Sequence, residues 1–68
     1  PRRMYRAKIE KAVTLKPNED IFVDALPAGN VVMSVTSTDQ TIALVEITKE
    51  AAATGSVQVQ GETFSVAK

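Results

Sequence analysis

The sequence predicts an all-β fold, a small barrel or sandwich of five to six short strands with at most one short helix. Three observations carry this. Apolar and polar residues alternate over short stretches, turn-forming residues interrupt the chain at close intervals, and the one helical signal is only a few residues long. Short strands joined by tight turns bury their apolar faces most readily as a closed or two-layered sheet.

The elements follow in chain order. "YRAKIEKAVTL" fits two periods, since Tyr5, Ala7 and Ile9 alternate like a strand while Ile9, Ala12 and Val13 also fit a helical turn. The neighbouring β signals favour a strand. Pro17-Asn18 reads as a turn, because proline presets φ and asparagine tolerates the positive φ that often follows. "DIFVDAL" offers Ile21, Val23 and Ala25 on one side and Phe22 on the other, and Leu26-Pro27-Ala28-Gly29 reads as the next turn. "NVVMSVTS" sets Val31, Met33 and Val35 on one face, and Thr38-Asp39-Gln40 turns the chain into "TIALVEI". There Ile42 and Leu44 share one face and Val45 and Ile47 the other, a change of phase that fits a bulge or a strand covered on both sides.

"TKEAAATG" carries the helical signal, with Thr48 as N-cap, Glu50 in the first turn and Gly55 at the C′ position. So short a helix must pack on the sheet to persist, or the segment is an alanine-rich loop. The C-terminal stretch "SVQVQGETFSV" reads as a hairpin. A two-residue loop at Gly61-Glu62 pairs Gln60 with Thr63, Val59 with Phe64, Gln58 with Ser65 and Val57 with Val66, which gathers the apolar residues on one face.

A chain of 68 residues buries only about 60% of the surface it exposes when unfolded, so further stabilisation is expected. The sequence holds no cysteine and no histidine, which removes disulfides, thiolate and imidazole metal ligands, and the usual general base at neutral pH. Association with copies of itself or with a larger assembly is the remaining route. Apolar runs such as Ala43-Leu44-Val45 fall far short of the roughly 20 residues that span a bilayer, and the basic N-terminus has no apolar segment behind it to form a secretory signal. A water-soluble, intracellular chain with no membrane partner is expected.

The net charge is zero, but it is unevenly spread. Residues 1–16 hold six basic groups against the single acid Glu10, a net of +5, while residues 17–68 hold Lys49 and Lys68 against seven acids, a net of −5. This divides the chain into a basic N-terminal arm over residues 1–11, leading into the first strand, and a β domain over residues 12–68. Within the arm, Arg2, Arg3, Tyr5, Arg6 and Lys8 are the candidate partner-contact residues, with Tyr5 a stacking surface among cations that could follow phosphates. A solvated terminus, or an arm that neutralises an acidic protein neighbour, accounts for the same residues.

Catalysis finds no support. Serine and threonine have no histidine beside them to act as base, and the three glycines stand apart rather than in a phosphate-binding loop. Glu19-Asp20 and Asp24 form the one close acidic cluster, without the glycine and ligand spacing of an EF-hand loop, and read as a solvated turn. No catalytic residue, metal ligand or cofactor is assigned.

From Thr41 onward the chain resembles the small capsid decoration, or cement, proteins of tailed bacteriophages. The resemblance lies in a strand, an alanine-rich turn, Val57-Gln58-Val59, Gly61 and Phe64-Ser65-Val66, and it covers roughly the last 28 residues. It implies a β-rich, often trimeric protein that clamps neighbouring capsid subunits, found in the virion or the host cytoplasm. The expected function is that of a non-enzymatic structural or binding protein docking on a larger protein assembly. The alternative is a small β-barrel nucleic-acid-binding module that uses the basic arm.

Overall fold

The computed structural model describes residues 1–67. Its elements run β1 (Arg2–Ile9), β2 (Asp20–Val23), β3 (Leu26–Thr36), β4 (Thr41–Thr48), α1 (Lys49–Ala53), β5 (Ser56–Val59) and β6 (Glu62–Ala67). The strands are antiparallel and close into a barrel in the order β1-β4-β3-β2-β5-β6. Closure comes from β6 returning to β1, with Arg6 opposite Ala67 and Lys8 opposite Ser65. The all-β expectation holds, and of its two forms the fold is the barrel, which leaves no long unpaired edge.

Residues 1–11 are not an arm. Every residue of β1 has a partner on β4, from Arg2 opposite Thr48 to Ile9 opposite Thr41, and Ala7 is buried in the core. The alternation of Tyr5, Ala7 and Ile9 outweighs the charge around it, because burying one face of the segment needs only every second residue. A boundary at residues 11 and 12 therefore has no counterpart in the fold.

Inside the barrel, Thr41, Ala43, Val45 and Ile47 of β4 point inward in strict alternation. Ile42 and Leu44 therefore share the outer face and Val45 and Ile47 the inner one, as read from the sequence, with no bulge in β4; the bulge lies in β3. The register moves from Val31 opposite Val45 to Met33 opposite Leu44, so Val32 is an inserted residue. Such an insertion reverses the facing of everything after it. Val31 is buried while Met33 and Val35 face out, so the three do not share the one face that the sequence suggests.

Two turns also shift. The β2–β3 connection is Asp24-Ala25, both with positive φ as a type I′ turn requires, and not Leu26-Pro27-Ala28-Gly29. Those four residues start β3, where the register with β2 is irregular between Ile21 and Phe22, the setting in which a strand accepts proline. In the last hairpin the loop is Gln60-Gly61, at φ 54° and 74°, and Val57 faces Phe64. Moving a turn by one residue shifts the pairing by two, so the apolar face survives and alternation alone cannot tell the two registers apart.

The barrel ends are closed differently. At one end α1 is capped as expected by the Thr48 hydroxyl, which accepts from the Ala51 amide at 3.1 Å, and Ala51 and Ala52 are buried beneath it. Gly55, at φ 84°, follows the helix. At the other end the β1–β2 connection folds back so that Val13 and Leu15 enter the core. Thr41 and Thr36, directly opposed on β4 and β3, hold it there. The Val13 amide donates to Thr41 Oγ1 at 2.8 Å, and Thr36 Oγ1 donates to the Val13 carbonyl at 2.9 Å. Lys11 adds an ion pair with Glu62 at 2.9 Å, and the Gln60 amide donates to the Thr14 carbonyl at 2.8 Å.

Candidate functional site

The pleat of β1 divides the five candidate residues between two faces. Arg2, Arg6 and Lys8 point outward with Met4, while Arg3 and Tyr5 lie on the other side of the strand with the buried Ala7. Tyr5 is half-buried, packs against the core, and shares a hollow with Lys49, Ala52 and Ala53 of α1. It therefore does not form a stacking platform among the outward cations.

Each outward cation meets different company. Arg2 Nη1 donates weakly to Asn30 Oδ1 at 3.4 Å, and Lys8 lies 3.3 Å from Glu10 in an exposed ion pair. Arg6 has neither hydrogen bond nor ion pair among the described residues.

What sequence reading missed is the surface beside these cations. Pairing sets Lys8 beside Ile42 and Ile42 beside Val35, and in the next outward row Arg6 beside Leu44 and Leu44 beside Met33. The outer face of β1–β4–β3 thus carries rows of cation, aliphatic, aliphatic. Val35 is 70% exposed and Met33 59%, and Arg6, Met33, Val35, Ile42 and Leu44 line one shallow depression. Met4 continues the apolar surface, and Glu46 is the one acid at an outward position of these three strands among the described residues. Ile42 and Leu44 already share a face in the sequence, but the inserted Val32 alone brings Met33 and Val35 round to join them.

This arrangement can bind a surface that is itself part apolar and part anionic. Among the described residues no group of three His, Cys, Asp or Glu side chains is placed to hold a metal ion. No helix of the described residues is long and apolar enough to cross a membrane. No protein-family model matches the chain, and neither the curated proteins nor the solved structures yield a match.

Proposed function

We propose that this protein is a non-enzymatic structural subunit that docks on a larger protein assembly through the outer face of β1–β4–β3. The observation that carries the reading is the pair of rows Lys8-Ile42-Val35 and Arg6-Leu44-Met33. An exposed apolar surface with a charged rim marks a site of association, and methionine and arginine are enriched where proteins meet. Capsid decoration, with the virion or host cytoplasm as its setting, is the specific form that the resemblance of residues 41–68 suggests.

The row of outward cations on β1 keeps nucleic acid as the second reading. Phosphate contacts would follow Arg2, Arg6 and Lys8, without help from Tyr5 on the other side of the strand. Titration of labelled single- and double-stranded oligonucleotides, at low and physiological salt, separates the two. Expected is no binding that depends on Arg6 and Lys8. Binding that weakens by about 0.9 log units per log unit of salt for each phosphate neutralised, and that disappears in Arg6→Glu/Lys8→Glu, establishes the nucleic-acid reading instead. For the capsid form, co-sedimentation with assembled shells should be lost in Arg6→Glu/Val35→Glu, and equal decoration by both proteins overturns the docking face.

A further inference from the structure

We propose that the occupant of the β1–β4–β3 face is a second copy of this chain, which docks its β2–β3 hairpin there head to tail; this rests on the reading of that face as a protein-docking surface. The argument begins with topology. In the ring of six strands, β1 and β2 stand three places apart, on opposite walls of the barrel. Folding thus turns the charge asymmetry of the sequence into a dipole across the molecule, with Arg2, Arg6 and Lys8 on the β1 wall and Asp20 and Asp24 on the β2 wall.

The hairpin has the complementary chemistry of a ligand for the face. Leu26 is 68% exposed at its tip, and Asp24, Leu26 and Glu50 border a single depression. An apolar knob flanked by acids matches an apolar depression flanked by cations. The Asp24-Ala25 turn, with both residues at positive φ, holds the knob in one conformation, which reduces the ordering cost of binding. Leu26 and Val35 lie at opposite ends of β3, up to about 30 Å apart at 3.3 Å per residue, so the two surfaces of one copy engage different neighbours. Pairing the face with itself would set cations against cations, with only Glu46 and Glu10, the latter already paired with Lys8, to oppose them. A contact between two different patches is heterologous, and it closes into a ring or continues as a filament according to the angle it imposes.

Sedimentation velocity over concentrations up to about 1 mM, which reaches weak association, tests this with two variants. Arg6→Glu/Val35→Glu blocks the face. Asp24→Asn/Leu26→Lys blocks the hairpin, with asparagine chosen because it tolerates the positive φ of the turn. All four positions are exposed, and circular dichroism checks that both variants keep the barrel. The wild type is expected to assemble, each variant to remain monomeric, and an equimolar mixture of the two to form a dimer that grows no further, since one supplies the intact hairpin and the other the intact face. A mixture that stays monomeric overturns the inference. So does a hairpin variant that assembles like the wild type beside a face variant that does not, although the face then stands as a docking surface. A monomeric wild type also overturns it, and shell co-sedimentation then judges the docking face separately. A face variant that both assembles and decorates shells like the wild type removes the two readings together.

Discussion

Replacing Thr41 by valine should cost this small barrel a large share of its stability, although the two side chains have nearly the same shape. Thr41 is fully buried, and its hydroxyl accepts from the Val13 amide at 2.8 Å and donates to the Lys11 carbonyl at 2.9 Å. Valine fills the space but offers neither function. Lys11 is an exposed residue and Val13 a buried one, so the larger cost falls on the Val13 amide. The Val13 amide belongs to a residue only 6% exposed, and leaving a buried donor without its acceptor costs about 1–3 kcal/mol. With the bond to the Lys11 carbonyl lost as well, the expected loss lies in the upper part of that range, about 2–3 kcal/mol. An unfolding entropy near 2.1 cal/mol/K per residue gives roughly 0.14 kcal/mol/K for this chain, so Tm should fall by about 15–20 °C. Thr41→Ser keeps the hydroxyl and removes one methyl, at about 1 kcal/mol, and should fall between wild type and valine. Thermal unfolding followed by circular dichroism, at one fixed protein concentration because assembly shifts Tm, reads all three. A valine variant as stable as the serine variant would refute the view that the hydroxyl holds the β1–β2 connection on the barrel.

Other outcomes follow from the same geometry. Gly29→Ala should destabilise by about 3 kcal/mol or more in a denaturant titration, since a Cβ there would stand 1.9 Å from the Glu46 carbonyl oxygen and 2.8 Å from Ile47 Cα, both backbone atoms of the neighbouring strand. Deleting residues 1–8 should abolish cooperative unfolding, because it removes nearly all of a strand bonded on both sides; a truncated protein with a normal β spectrum and a sharp transition would contradict the closed topology. Lys11→Ala should change stability by no more than about 1 kcal/mol, the usual range for an exposed ion pair, although the Lys11–Glu62 contact is short at 2.9 Å.

The residues 1–8 show how far a local signal reaches. Their charge points to an arm and their alternation to a strand, and the strand is what forms. Sequence alone does not weigh them, because the strand forms only where β4 and β6 offer backbone partners on either side. Among the five candidate contact residues, the placement of Arg6 and Lys8 opposite Tyr5 follows from the two-residue period of an extended segment. The docking surface beside them is not. It depends on Met33 and Val35 facing outward, and the residue that turns them, Val32, sits in an unbroken run of Val31, Val32 and Met33 that carries no periodicity.

The sequence by itself determined the β class, the Thr48 cap and Gly55 stop of whatever helix could form between them, the apolar faces of the last hairpin and the lack of histidine and cysteine. These rest on backbone propensity, capping and a two-residue period, all of which act between near neighbours. The tertiary structure decided barrel over sandwich, the turns at Asp24-Ala25 and Gln60-Gly61, the bulge at Val32, the Thr36 and Thr41 clamp on Val13, and the placement of the basic and acidic strands on opposite walls. Each depends on which distant strand supplies the hydrogen-bond partner, and period-two patterns that keep the same face inward leave that choice to the packing of the whole barrel.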